Sequence, residues 1–500
     1  MLPKEVKSLW IGTSQETNYP ELKAEKKADV AVVGGGLAGI CIGYFLSLEG
    51  LKVTVLEASK IGSKTSGNTT AKITSLHDLK YNFLIKYFGK EKAQMYANSH
   101  QWAIREYERI IAEEKIDCDF LKAPAFCYAV TDKGVENIKK EVRSAISLGL
   151  PAKFKKKEPT IPFSHKGAIV FDNQAYFHPK KFINALAERI TKNKGRIYEN
   201  SKVIKFIAGD KIKLITKNGS VSAKKVVIAT NYPVYDKDRI FLKMNQIRSY
   251  ALAAKSSKRF SPGMYISIDG SRLSFRPHKS KNSKWLIISG QDHITGENGK
   301  DYYLNLEQEA KENFQANKFE YKWVAQDSFP IDRVPFISRM KTPGFFVATG
   351  FGEWGMTSSI VSAKILTDLI NGNSNEWEEL YSLSRTNPPS LQKLGKLGKN
   401  VIKGYSDRII KIGKFSPSKL IAGKGKIFSH QGKKIAVYKD ENGKIYALSA
   451  VCTHMGCVVR WNSNEKSWDC PCHGSRFDIM GRVLDNPAIS NLKRIKLDNI

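Results

Sequence analysis

Five hundred residues, 41% hydrophobic and 26% charged, suit a globular protein of about three domains, and they exclude a fibrous or disordered chain. The 81 Lys and Arg outnumber the 48 Asp and Glu by 33, a field that favours an acidic partner, an anionic surface or an anionic substrate. Nucleic acid is not expected, because there is no zinc-finger spacing, no aromatic ribonucleoprotein motif and no basic region with heptads.

The opening segment MLPKEVKSLWIGTSQ lacks the apolar core of a secretory signal, so a cytoplasmic chain is expected. Residues 30–48 form an uncharged, largely apolar run close to bilayer-spanning length. Gly34, Gly35, Gly36 and Gly39 suit a strand, turn and helix better than one continuous helix, and no transmembrane segment is expected. Of seven cysteines, Cys41, Cys118 and Cys127 are dispersed, while Cys452, Cys457, Cys470 and Cys472 cluster near the end, the pattern of a local metal or redox site.

Asp29-Val-Ala-Val-Val33 reads as a buried parallel strand. It runs into Gly34-x-Gly36-x-x-Gly39, a helical pattern through Ile40, Tyr44, Phe45 and Leu48, and a second strand, Lys52-Val-Thr-Val-Leu56, that ends at Glu57. This is a complete βαβ dinucleotide fingerprint. The glycines let backbone approach a pyrophosphate, the helix N-terminus meets its charge, and the Glu57 carboxylate accepts bonds from a ribose. By itself the fingerprint serves FAD and NAD equally.

The polar loop Ile61-Gly-Ser-Lys-Thr-Ser66-Gly-Asn68-Thr-Thr-Ala-Lys-Ile-Thr follows. Further on stand Lys202-Val203-Ile-Lys-Phe, Lys225-Val-Val-Ile-Ala-Thr230-Asn and Phe345-Phe-Val-Ala-Thr-Gly350-Phe-Gly-Glu-Trp-Gly355-Met-Thr. Over about residues 28–375 the chain resembles the D-amino-acid-oxidase-like FAD-dependent oxidoreductases, the glycine/D-amino-acid oxidase superfamily. The resemblance implies FAD held by Gly34, Gly36, Gly39, Glu57, Ser66, Asn68, Thr70, Val203, Gly350, Gly352, Gly355, Met356 and Thr357. Gly350-x-Gly352-x-x-Gly355 is a second literal GxGxxG, but the following helical stretch runs into Asn-Gly-Asn-Ser-Asn instead of a strand ending in an acid. It is therefore read as a contact to the same flavin, not as a separate NADH site.

Residues of about 75–180 and 235–325 interrupt the nucleotide-binding elements, and the resemblance implies that they build an inserted, mainly antiparallel substrate domain over the flavin's reactive face. Arg272 and Arg276 are candidates to pair a substrate carboxylate, and His293 to move a proton. No catalytic triad is required, because the cofactor carries the chemistry of amine oxidation.

A basic connector is expected over 376–417; from Pro388 to Lys434 there are twelve Lys and Arg against one acid, Asp407. Leu391, Leu394, Leu397, Val401, Ile402, Tyr405 and Ile409 form a helical apolar stripe weakened by Gly395, Gly398 and Gly404. Such a segment packs on the preceding domain or lies on an anionic membrane; packing is favoured, with peripheral contact to the inner face of a membrane as the other outcome.

Gly425-Lys-Ile-Phe, Lys434-Ile-Ala-Val-Tyr438 and Ile445-Tyr-Ala-Leu-Ser449 are short strands, with a turn signal at Asp440-Glu-Asn-Gly443. They lead to Cys452-Thr-His454-Met-Gly-Cys457 and Cys470-Pro-Cys472-His473-Gly-Ser475. Each loop offers one Cys and one His, which is not the C-x₂₋₄-C and H-x₃₋₅-H arrangement of a Cys₂His₂ zinc site. Over 418–500 the pattern resembles Rieske proteins, which implies a [2Fe–2S] cluster held by Cys452, His454, Cys470 and His473. It further implies, by likeness to respiratory Rieske proteins, a Cys457–Cys472 disulfide and a Ser475 hydroxyl bonded to a bridging sulfide. Those proteins carry a tyrosine where this chain has Phe477, so a lower potential is expected here.

The expected architecture is thus an α/β FAD-binding Rossmann-type domain with an inserted substrate domain, followed by a small all-β Rieske domain. The expected activity is dehydrogenation of a small-molecule amine or amino acid, with electrons passed through the cluster to a one-electron acceptor, protein or quinone. A flavin reductase fed by the cluster from a one-electron donor, and a non-catalytic electron-transfer or redox-sensing protein, are the alternatives.

Overall fold

The computed structural model describes residues 2–255, 260–280, 283–297, 301–385, 413, 416 and 420–497. The apolar stripe expected over 391–409 lies outside the described residues.

Two large sheets organise the first 385 residues. In the first, the strand Glu25–Val33 runs parallel to Val53–Leu56 on one side and to Ser220–Ile228 on the other. Arg196–Tyr198 and Phe345–Thr349 extend it in parallel, and Phe336–Arg339 closes one edge antiparallel. The last four residues of Glu25–Val33 are all buried, as expected for a central parallel strand covered on both faces.

The helix Leu37–Leu48 buries ten of its twelve residues and packs against the helices Gly355–Asn371 and Pro179–Lys192. Its seating depends on Gly39: a Cβ there would lie 1.9 Å from the Gly34 carbonyl oxygen, so only glycine lets the helix start this close to the turn. The helix Gly355–Asn371 ends at Gly372, whose left-handed φ of 87° stops it, and no strand follows it into this sheet. Gly350-x-Gly352-x-x-Gly355 thus has no second βαβ unit among the described residues.

The second sheet has nine strands, taken from 72–176 and 244–330, and all pairings are antiparallel except Met264–Ser267 with Leu121–Ala129. Its three longest strands, the edge strand Phe319–Pro330 and its neighbours Met244–Lys255 and Lys284–Ile294, form a curved wall above the C-terminal ends of the parallel strands. The mixed α/β unit with its antiparallel insertion is therefore as expected.

Residues 376–385 differ from expectation. They are not connector but part of this unit: Trp377, Leu380 and Tyr381 are buried, and Arg385 pairs with Asp332 at 2.8 Å while its guanidinium stacks on Phe336. Aromatic anchors tie this stretch to the preceding unit, whereas the basic run that follows from Pro388 made it look like linker.

The C-terminal unit consists of a three-stranded antiparallel sheet, Gly425–His430, Lys433–Lys439 and Ile445–Ser449, and a four-stranded one, Arg460–Asn462, Ser467–Asp469, Arg476–Asp478 and Val483–Asp485. Trp468 and Phe477 are cross-strand neighbours in the four-stranded sheet, both fully buried. Among the described residues no helix is long and apolar enough to cross a membrane.

Candidate dinucleotide cavity and cluster centre

A cavity of about 480 Å³ opens at the C-terminal ends of the parallel strands and continues under the second sheet, the position where open α/β sheets bind ligands. Gly34, Gly36, Glu57, Ser66, Asn68, Thr70, Val203, Gly355 and Met356 all line it. Glu57 takes the Gly35 N–H at 2.7 Å and the Ser59 N–H at 2.8 Å, which fixes the carboxylate beside the glycine turn. Gly39, Gly350, Gly352 and Thr357 stand behind the wall. Gly352 donates its N–H to Ser328 O at 3.1 Å, and the Thr357 hydroxyl meets His100 Nδ1 at 2.9 Å.

The loop 61–74 is shaped from outside by residues the sequence did not single out. Trp10 donates its indole N–H to Thr69 O at 2.6 Å, Trp323 donates to Asn68 O at 3.0 Å, and Ser8 donates to Gly67 O. Both indole rings are completely or almost completely buried. The available signal was Leu9-Trp10, an apolar pair in an otherwise polar N-terminal stretch.

Arg276 belongs to the same brace. It is buried, gives its Nε to Thr70 O at 2.5 Å and its Nη2 to Phe177 O at 3.3 Å, and its guanidinium lies over Trp10 and Tyr176. Its donors are committed to backbone carbonyls, which corrects its expected role as a substrate clamp. His293 also stands apart from the cavity wall: its ring stacks on Tyr302 with centroids 3.9 Å apart, and Nδ1 meets its neighbour Gln291 O.

Arg272 does line the cavity, but it is occupied. Its guanidinium meets Asp292 at 3.1 Å and both Asp78 and Glu353 at 3.3 Å, and these acids hold its pKa above the usual arginine range. Asp292, Glu353 and Asp327 face the same space. Burial pushes all three carboxyls up, helped by repulsion from neighbouring acids (Asp78 on Asp292, Asp292 on the other two), and Asp327 reaches about 7. Across from them Lys72 donates to Tyr265 O at 3.0 Å, and burial lowers its ammonium to about 8.

The cluster loops meet at one end of the C-terminal unit. Cys457 and Cys472 form a disulfide between them. The Cys452 and Cys470 side chains are in contact; the N–H groups of His454 and Met455 and the Ser475 hydroxyl point to the first sulfur, and those of Cys472 and His473 to the second. The imidazoles of His454 and His473 stand with centroids 5.1 Å apart and nearly perpendicular. His473 Nδ1 is buried with no hydrogen-bond partner, as a ring nitrogen reserved for a metal would be. Two thiolates among N–H donors and two converging imidazoles fit a [2Fe–2S] centre with one Cys₂ and one His₂ iron. Ser475 Oγ also accepts the Ala488 N–H at 3.0 Å, which ties the following loop to the cluster.

This centre faces inward. Phe241, on the FAD-binding side, lies edge-on to both imidazoles, 5.6 Å from His454 and 5.3 Å from His473. Tyr232 lines the cavity and is itself buried, and the nearby Cys470 adds to the burial that raises its phenol pKa.

Comparison with known proteins agrees with this geometry. The family described as FAD dependent oxidoreductase (DAO) matches residues 29–369, and the Rieske [2Fe-2S] domain matches 414–496. The chain is 35% identical over 502 residues to the Rieske 2Fe-2S iron-sulfur protein YhfW of Bacillus subtilis (strain 168), covering 98% of this chain and 97% of that one. It is 23% identical over 380 residues to gamma-glutamylputrescine oxidoreductase of Escherichia coli (strain K12), covering 73% of this chain and 88% of the other. In fold it is similar to glycine oxidase from Geobacillus kaustophilus, with a TM-score of 0.62 at 18% identity over 72% of this chain and 99% of that structure. The chain belongs to the DAO family of FAD-dependent oxidoreductases and carries a Rieske [2Fe–2S] domain at its C-terminal end.

Proposed function

We propose that the protein is a dehydrogenase of a small amine or amino acid, which passes the electrons of the oxidation internally from FAD to the Rieske cluster and on to a one-electron acceptor. The observation that carries this reading is the packing of Phe241 against both His454 and His473: the histidine face of the cluster is turned to the FAD-binding unit. FAD supplies two-electron oxidation and the cluster supplies one-electron transfer. An amine that becomes an imine gives up two electrons and two protons, so two equivalents of a one-electron acceptor balance each turnover.

The residues fit the amine half of this proposal. Arg272 is neutralised by Asp78, Asp292 and Glu353, so a substrate carboxylate would have to displace an existing pairing. The acids that remain favour a cationic group, and an amine must lose a proton before it is oxidised. Asp327, with a pKa of about 7, is placed to take that proton near neutral pH. Buried Tyr232 lines the cavity and Phe241 packs edge-on against His473, so both aromatics stand on the side of the cluster that faces the FAD-binding unit.

The test is anaerobic mixing of the purified protein with a panel of amines and amino acids. Bleaching of the flavin absorbance followed by the electron paramagnetic resonance signal of a reduced cluster is the expected result. Bleaching with a cluster that stays oxidised would rule out the internal relay. Reduction of the flavin by a prereduced cluster, with no substrate able to bleach it, would reverse the direction.

A further inference from the structure

The segment Val483–Asp485 and the loop after it belong to the Rieske unit, yet Leu484, Asp485, Asn486 and Ile489 line the dinucleotide cavity. Opposite them stand Lys64 and Thr65 of the loop 61–74, and Lys64 Nζ reaches the Leu484 carbonyl at 3.5 Å. One wall of the FAD site is thus supplied by the other domain.

That wall is held by a buried charge network. Arg248, on the strand Met244–Lys255, is 1% exposed and forms a two-pronged pair with Glu465 of the Rieske unit, one prong at 2.9 Å. Glu465 is shared with Arg476 at 2.7 Å, and Arg476 reaches Asp485 at 2.8 Å and Asp469 at 3.0 Å. The link from Arg248 to the cavity wall runs through Glu465 and Arg476, beside a longer direct pairing of Arg248 with Asp485 at 3.9 Å. Gln326 reinforces it, accepting from Arg248 at 3.1 Å and donating to Gly474 O at 3.0 Å. The surfaces meet without room to spare: a Cβ on Gly474 would lie 2.4 Å from Gln246 Cβ, and one on Gly296 would lie 2.7 Å from Pro471 Cα.

A charge removed from such a buried network leaves its partner uncompensated, so the network resists partial opening. A site completed by a second domain binds its ligand only when that domain is docked, and the linkage is reciprocal.

We infer that the Rieske unit is a structural wall of the FAD site, so that FAD retention and Rieske docking stabilise each other through Glu465. This rests on the FAD assignment and goes beyond the electron-relay reading, since it holds for either direction of electron flow. Glu465 is a positioning residue: it touches neither the cluster ligands nor the cavity.

The test uses the full-length protein loaded with both cofactors. Glu465→Gln keeps the side chain's shape and removes the charge shared by Arg248 and Arg476. The expected result is an FAD dissociation constant raised about tenfold, read from flavin fluorescence, with hydrogen exchange over residues 483–489 accelerated by a similar factor. The cluster's paramagnetic resonance spectrum should be unchanged, showing that the Rieske unit is still folded. Faster exchange with an unchanged FAD affinity would overturn the inference.

The reciprocal arm needs no substitution and decides the matter alone if the variant does not fold. Removal of FAD from the unmodified protein should accelerate exchange over 483–489, and unchanged exchange there would overturn the coupling. Substrate-driven reduction of the cluster is scored separately. If it persists while the coupling fails, only the coupling is lost; if it fails while the coupling holds, only the relay is lost.

Discussion

The glycine corner at Gly34–Gly39 and the acidic wall around Arg272 line one cavity, and they are built on different principles. The corner is made of backbone from one short stretch, so spacing in the sequence dictates its geometry. The wall is made of side-chain charges from four distant segments, at Asp78, Arg272 and Asp292, Asp327 and Glu353, brought together where the second sheet meets the loops that carry Asp78 and Glu353. Local sites tolerate change elsewhere in the chain, whereas assembled sites depend on it. The cluster loops belong to the first kind, although two loops are needed to complete the centre.

The largest effect expected at a local site is therefore all-or-none. Cys470→Ser replaces a thiolate with a weak ligand in a centre that uses every donor it has. Iron content and the cluster's visible absorption should fall to background, and substantial retention of a [2Fe–2S] spectrum would show that another residue completes the donor set.

The sharpest test of an assembled site is a residue far from it in sequence. Trp10 fills a buried slot, donates to Thr69 O and lies under Arg276, so Trp10→Ala removes packing and a hydrogen bond from the back of the loop 61–74. A loss of about 3–5 kcal/mol is expected for a buried tryptophan. It should show as a lower Tm that added FAD partly restores. A fall in Tm with unchanged FAD affinity would separate the brace from the site.

The same division explains what could be read from the sequence. The βαβ unit and both cluster loops were legible because their chemistry is contiguous: turn, helix start and acid in one case, and Cys-x-His with Cys-x-x-His in the other. Arg272 was legible as a candidate but its neutralisation was not, because none of Asp78, Asp292 and Glu353 sits at a spacing that signals a partner. Arg276 was misread for a related reason: a buried arginine that serves carbonyl oxygens has no sequence signature distinct from one that serves a ligand. The role of residues 376–385 was hidden by their basic neighbours, since composition averages over a window while Trp377 and Tyr381 act singly. The docking of Arg248 on Glu465 joins residues more than two hundred positions apart, and no local pattern announces it.

A smaller effect probes the electrostatics of the wall. Asp327 is protonated up to about pH 7 in the folded chain, because of burial first and the charge of Asp292 second. Its unfolded carboxyl titrates near pH 4, by the usual value of about 3.9. Between these limits the native state holds the extra proton, so this group makes the protein lose stability as pH rises from about 4 to about 7. Asp292 and Glu353 are displaced in the same direction and add to the slope. Asp327→Asn should reduce the fall in Tm across that window and leave Tm nearly unchanged at its acid end. An unaltered slope would mean that Asp327 ionises freely in the fold.

The smallest expected effect lies at the cluster, where one hydroxyl is in question. Phe477 is fully buried on the strand Arg476–Asp478, in the same apolar core as Cys452 and Cys470. Phe477→Tyr would place a donor where respiratory Rieske proteins have one. A hydrogen bond to a ligand sulfur stabilises the reduced, more negative cluster and so raises the potential. Taking the bond at about 1 kcal/mol, the shift for a one-electron couple is roughly 40 mV upward. The alternative outcome is also informative, because a buried hydroxyl without a partner costs stability. A higher potential at unchanged Tm means that the hydroxyl has reached the sulfur. A lower Tm at unchanged potential means that the loop holds the ring away from it, and the low potential expected of this cluster would then need a source other than the missing tyrosine.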